Sequence, residues 1–280
     1  MGNIKYKLVV DSCCDLTEEY KRDSRFVSIP LTLSVGGVKF IDDDTFDQLD
    51  FIRRCKESTE VAKSACPSPE DFMNAYKGDE DIFVVTLAQP LSGTYNSARL
   101  AKEMYIEEYG HKNIEVFSAE GASVSESLLA FKIQELCEMG LSFEEVVKKA
   151  HEFNEENKIF FVLETLDTLR KNGRMTGLQA FFATTLNIKP IMTAKKGVIE
   201  KMDQARGINK ALAQMCKYAG ERIINPENKT LGISHCNCLE RAEYVKNEML
   251  KHKKFKNVYI VNMAGVSTLY ANDGGIILSV

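Results

Sequence analysis

Three short apolar runs, set apart by stretches of helical period, constrain this chain more than any other feature. Lys5–Val10, Ile82–Leu87 and Ile114–Phe117 are rich in Val, Ile, Leu and Phe and stop at polar or turn-forming residues. Apolar runs of that length, rich in β-branched residues, read as strands buried on both faces. Helical spacing fills the intervals. Phe46, Leu49, Ile52 and Cys55 recur at helical steps within 46–59. Ser68-Pro69 supplies an N-cap and a proline at the first helical position. Helices are further predicted over 95–109, 123–139 and 142–157, the last opened by the capping box of Ser142 and Glu145. Alternating strands and helices predict a parallel sheet covered on both faces, which takes its ligand in loops at the C-terminal ends of its strands. Those loops are Asp11–Asp15 and Ala88–Thr94.

Two departures from this pattern are visible. Phe26–Val35 alternates as one strand, turns at Gly36-Gly37 and resumes at Val38–Ile41, which reads as a hairpin. Beyond Asn157 the order changes. Strands are predicted at Ile159–Leu163, Ile188–Met192 (where Pro190 prefers an edge), Val198–Met202, Thr230–Ser234, Val258–Met263 and Ile276–Val280. Helices are predicted at Glu164–Lys171, Leu178–Leu186, Gly207–Ile223 and Leu239–Lys251. The fold class is therefore α/β in two domains, a parallel-sheet domain over 1–158 and a mixed-sheet domain over 159–280.

Composition narrows the function. A formal net charge of −4 argues against nucleic-acid binding, and the basic run Lys251-His252-Lys253-Lys254 reads as a solvated helix end. No apolar run approaches the ~20 residues of a membrane span, so no integral membrane segment is expected. The opening residues lack a signal-peptide core, and Tyr6 stands where myristoylation wants Ser or Thr. The chain is expected in the cytoplasm. The eight cysteines lack zinc or redox spacing and the four histidines make no i, i+4 pair, so no metal site is expected and the cysteines read as free thiols.

Four polar clusters stand against this scaffold. In Asp11-Ser12-Cys13-Cys14-Asp15, Asp15 reads as a helix N-cap, whereas Asp11 and Ser12 at a strand end suit a site. The second is Ser64-Ala65-Cys66-Pro67-Ser68. The third, Leu91-Ser92-Gly93-Thr94-Tyr95, feeds hydroxyls and backbone N–H groups into a helix start, which suits a carboxylate or phosphate as well as plain capping. It is neither a P-loop nor a nucleophile elbow. The fourth, Asn172-Gly173-Arg174, places a guanidinium at a helix end where its fork suits an anion.

Together, in this order, the clusters resemble the DegV family, which includes the fatty-acid-binding subunits of bacterial fatty acid kinase. Asp11 to Leu16 meets the family's Asp-Ser-x-x-Asp-Leu opening, and Leu91–Tyr95 and Ile188–Ile191 are intact motifs. Ser64 to Ser68 resembles the family's Thr-Ser-Gln-Pro-Ser, and Asn172 to Arg174 its Gly-Gly-Arg turn. The resemblance implies a ligand tunnel between the domains, with a long-chain fatty acid as bound ligand and no other cofactor. It implies carboxyl binding by Ser64, Ser92 and Asn272, the last standing where family members carry a His. Asp11, Ser12, Thr94 and Arg174 are implied near the head group. Leu178, Phe181, Phe182, Leu186 and Met192 offer apolar side chains for the tunnel, or for ordinary core.

Two classes of function remain open at this stage. One is non-catalytic carriage, with the fatty acid presented to a separate kinase subunit or read out by a lipid-sensing regulatory partner. The other is a serine acyl-hydrolase with Ser92 as nucleophile and His235 as base, although no motif places that base.

Overall fold

The computed structural model describes residues 5–175, 187–251 and 253–280. Its first sheet contains β1 (Tyr6–Asp11), β2 (Phe26–Ile29), β6 (Asp81–Thr86) and β7 (Ile114–Ser118), in the order β2-β1-β6-β7 and parallel throughout. Alternate side chains of one strand enter different cores, as the two-residue period requires. Leu8 and Val10 pack with Phe83, Val85 and Phe117 beneath α5 (Val124–Glu138) and α6 (Phe143–Glu156). Val9 packs with Ile82 and Val84 beneath α3 (Pro69–Ala75) and α4 (Thr94–Tyr109). The capping boxes expected of Ser68 and Ser142 form, with Asp71 and Glu145 as their partners.

The second sheet is mixed. It contains β8 (Ile159–Val162), β9 (Ile188–Lys195), β10 (Val198–Arg206), β11 (Thr230–His235), β12 (Asn257–Asn262) and β13 (Ile276–Ser279), in the order β10-β9-β8-β13-β11-β12. Among the described residues, β11 and β12 form its one parallel pair. Pro190 pairs with Gln204 of β10, while the pairing of β9 with β8 begins at Met192. Among the described residues no strand pairs with Pro190 on its other side, which agrees with its edge preference. Helices α8 (Ile208–Arg222) and α9 (Leu239–Leu250) cover one face through Leu212, Met215 and Val245. The opposite face presents Ile159, Phe161, Met192, Ala194 and Ile199.

Helix α5 lies between the sheets and touches β1, β6, β11 and β13. Its first six residues, Val124–Leu129, are all buried, polar ones included. Gly232 makes the close approach possible, because a Cβ there would sit 2.6 Å from Val124 Cγ2. The first turns of α5 are thus enclosed between the two sheets.

Three expectations need correction. The 26–35 run is two strands, broken at Pro30: β2 joins the parallel sheet, while β3 (Thr32–Val35) forms an antiparallel sheet with β4 (Val38–Ile41) and β5 (Lys63–Ala65). Proline fixes φ and supplies no N–H, so alternation alone overran the break. Asp15 does not cap the following helix. The short α1 (Glu18–Lys21) starts after Thr17, and Asp15 is buried with the Ala264 N–H donating to it at 2.7 Å. The helix predicted over 164–171 is only α7 (Asp167–Lys171). Helix α2 (Gln48–Glu57) follows its prediction, whereas α10 (Gly265–Ala271), buried along nearly its whole length, shows no amphipathic period to be read.

Candidate functional site

A cavity of about 80 Å³ lies between the mixed sheet and the loops that end the parallel strands. Leu87, Leu91, Gly121 and Ala122 come from those loops. Phe161, Ala194, Ile199 and Ile277 come from the mixed sheet, and Val266, Tyr270 and Ala271 from α10. The wall is almost wholly apolar. A cavity of this character stays dry and favours an apolar occupant over water.

Helix α10 is held in place by carboxylates from elsewhere in the chain. The N–H groups of Gly265 and Val266 donate to the two oxygens of Asp42 at 2.6 and 2.8 Å, and Ala264 donates to Asp15. Gly265 is required for this grip, since a Cβ would fall 2.5 Å from Asp42 Oδ1 and 2.7 Å from Leu33 Cδ1. Ser12 donates to Asp42 at 2.8 Å and accepts the Leu31 N–H at 3.0 Å. Asp11 accepts from Cys13 N and Leu87 N, both at 2.9 Å. Burial raises Asp11 and Asp42 to about 6 and Asp15 to about 7, against the backbone donors that pull each down.

Polar groups gather where Leu91 and α10 meet. The Arg174 guanidinium lines the cavity and donates from Nε to Leu91 O at 3.2 Å. It stands 5.9 Å from the Tyr270 ring centroid, within cation–π range. Its aim comes from the end of α7: Arg174 N donates to Leu169 O and Gly173 N to Arg170 O, a Schellman turn with Gly173 at φ 73°. Tyr270 O–H lies 2.9 Å from Ser64 Oγ on β5. Just after Leu91 in the chain, Ser92 Oγ and Thr94 Oγ1 are 2.8 Å apart at the start of α4.

A family model described as "Uncharacterised protein, DegV family" matches residues 5–279. The chain belongs to the DegV family. It is 33% identical over 282 residues to a DegV domain-containing protein of Streptococcus pneumoniae serotype 4, covering 98% of each. Among solved structures it is similar to a DegV-family protein of Ruminococcus gnavus refined with vaccenic acid, at 46% identity and TM-score 0.96 over 98% of this chain and 99% of that one. It is also similar to the Streptococcus pneumoniae fatty acid kinase B3 protein loaded with linoleic acid, at 30% identity and TM-score 0.87 over 99% of each chain. A Eubacterium eligens DegV protein loaded with heptadecanoic acid shares 29% identity and a TM-score of 0.89 over 98% of each. The parallel-sheet first domain and mixed-sheet second domain are the fold of these DegV neighbours.

The residues expected at a DegV head-group site separate into groups. Arg174 is in the cavity wall, and Ser64 is bonded to the wall residue Tyr270. Ser92 and Thr94 flank the wall residue Leu91 without lining the cavity themselves. Asp11 and Ser12 are buried in the loop hydrogen bonds described above. Asn272, in the left-handed region at φ 59°, accepts from Thr168 Oγ1 at 3.1 Å and donates to Tyr270 O at 3.2 Å, so it fastens α10 to α7. Met192 is buried in one cluster with the wall residues Phe161 and Ala194 without lining the cavity itself. Leu178, Phe181, Phe182 and Leu186 lie outside the described residues.

Sequence reading passed over Tyr270, two residues before the position matched to the family His. Its one signal was a phenol beside a turn, which is weak until α10 is known to face the cavity. As for metals, the one group of three ligand-type side chains among the described residues is Asp11, Cys13 and Glu126, with donor atoms within 4.8 Å of one another. This set fits a metal poorly: each Asp11 oxygen already holds a backbone N–H, and burial raises the Cys13 thiol well above its ordinary value, which favours the proton over a cation.

Proposed function

We propose that this DegV protein binds one long-chain fatty acid, tail in the cavity and carboxyl at the Ser64–Tyr270–Arg174 end beside Ser92, and presents that carboxyl to a separate fatty acid kinase. The observation that carries the reading is the apolar cavity between the sheets, ending at two paired hydroxyls and a guanidinium. Each buried methylene contributes ~0.8 kcal/mol before the cost of association. A carboxylate at the end of such a tail needs donors, and Ser64, Ser92, Tyr270 and Arg174 carry them. The fatty acids found in the R. gnavus and S. pneumoniae relatives support the same reading.

Carriage is favoured over hydrolysis by the partners of the two residues a hydrolase would use. Ser92 Oγ is bonded to Thr94, and His235 Nδ1 accepts the Cys238 N–H at 3.2 Å. We further propose domains over 1–158 and 159–280, which divide the strands of the two large sheets between them.

Native mass spectrometry of protein purified without detergent tests the proposal. One fatty acid per chain is expected, with transfer of phosphate to it when the cognate kinase and ATP are added. Protein that purifies empty, takes up no added fatty acid and cleaves an acyl ester would overturn the reading.

A further inference from the structure

Four carboxyl groups, Asp11, Asp15, Asp42 and Glu126, are buried at the junction of β1, α5 and α10. The charges acting most strongly on each come from other carboxylates rather than cations. Three of the four carry backbone or hydroxyl donors on their oxygens. Glu126 differs. One oxygen accepts the Ser123 N–H at 3.1 Å as part of a capping box, while Oε2 is buried with no hydrogen-bond partner. A bare carboxylate oxygen in such a place costs the full desolvation of a charge. Two groups lie against Glu126, the Asp11 carboxyl and the Cys13 thiol, with donor or acceptor atoms within 4.8 Å of one another; a thiol is only a weak donor.

We propose that Glu126 carries a proton and donates it from Oε2 to Asp11, forming a buried acid–carboxylate latch that fastens α5 to the end of β1. One shared proton resolves both problems. It turns the orphaned acceptor into a donor, and it removes one of two adjacent like charges, as in other carboxyl pairs held in one site. Burial and the neighbouring Asp11 and Asp15 push Glu126 well above its ordinary value, with Cys13 pulling weakly the other way, and the contact with Asp11 raises Glu126 while lowering Asp11. Those are the directions expected when Glu126 is the donor.

The latch bears on the cavity. Cys13, two residues after Asp11, and Ser123, the capping partner of Glu126, both line it. Facing Glu126 from β1 and its loop are Asp11, Cys13, Cys14 and Asp15, with Asp42 acting on Asp11 and Asp15 from beyond β4. Separation of α5 from β1 admits water to both carboxyls, and Glu126 then gives its proton to water. Opening therefore releases a proton near neutral pH and is favoured as pH rises, whichever ligand fills the cavity.

Infrared spectroscopy of the wild-type protein with ¹³C-labelled glutamate, run beside elemental analysis, tests the proposal without a variant. We expect a protonated carboxyl band at pH 7 that shifts with the glutamate label, and no stoichiometric metal. In Glu126→Gln, whose amide keeps a donor toward Asp11, that band should vanish and the loss of thermal stability between pH 6 and 8 should shrink. Absence of the glutamate band, its persistence in Glu126→Gln, or one metal ion per chain would each overturn the latch. The infrared and metal readouts do not depend on fatty-acid binding, and the thermal one is taken on ligand-free protein.

Discussion

Ser64 Oγ and Tyr270 O–H lie 2.9 Å apart across 206 residues of sequence, one on β5 and the other on α10. The pair ties the small antiparallel sheet to a cavity wall built by the second half of the chain. A pair of hydroxyls at the end of an apolar cavity offers donors to a carboxylate that enters between them.

Tyr270→Phe removes one of those donors and keeps the ring that faces Arg174. Fatty-acid affinity should fall about tenfold or less, the worth of one or two ordinary hydrogen bonds. Ser64→Ala should fall by a similar factor, and the double variant by less than the product, because the two share one interaction. Displacement titration of a fluorescent fatty acid measures all three. Unchanged affinity in Tyr270→Phe would move the carboxyl away from this pair.

Ser92→Ala leaves Thr94 without its 2.8 Å partner at the start of α4. The helix runs on to Tyr109 and is anchored by buried Ala98, Ala101 and Tyr105, so the fold should survive. The fraction of protein that retains fatty acid through native mass spectrometry should drop. Full occupancy would leave Ser92 as a helix-start hydroxyl and nothing more.

Much of this was legible in the chain before the fold. The buried strands of the parallel sheet, the capping boxes and the order of the motifs all rest on local rules, and the structure keeps them. What escaped was set by distant partners. Asp15 looks like an N-cap because a local reading cannot see Ala264, which takes it instead. The Thr168 hydroxyl that donates to Asn272 is likewise 104 residues away and invisible to a local reading. Tyr270 gained its place only once α10 was drawn against the cavity by Asp42.

Ala194→Leu tests whether the cavity itself is the tail site. Ala194 is on β9 with its side chain in the wall, beside Ile199 and Phe161. The added atoms have free space to enter, so the cost to stability should stay within the 1–3 kcal/mol typical of overpacking. Fatty-acid uptake should fall sharply, with long chains affected more than short ones. A variant that folds and binds palmitate as well as the parent would place the tail elsewhere.

The buried acids set the direction of the pH response. Asp11 and Asp42 are raised to about 6 and Asp15 to about 7, above the ordinary value of an aspartate in the unfolded chain. The folded protein therefore binds protons that the unfolded chain has already released, and stability should rise as pH falls from 8 toward 5. Buried His235 acts the other way: its value is lowered, so stability is lost once the unfolded chain can protonate it. Glu126, also raised, adds a fourth carboxyl against the one histidine, and the net slope should keep the sign set by the carboxyls. Thermal midpoints of ligand-free protein at pH 8 and pH 5.5 measure it. A midpoint higher at pH 8 would mean that water reaches these carboxyls in the folded state.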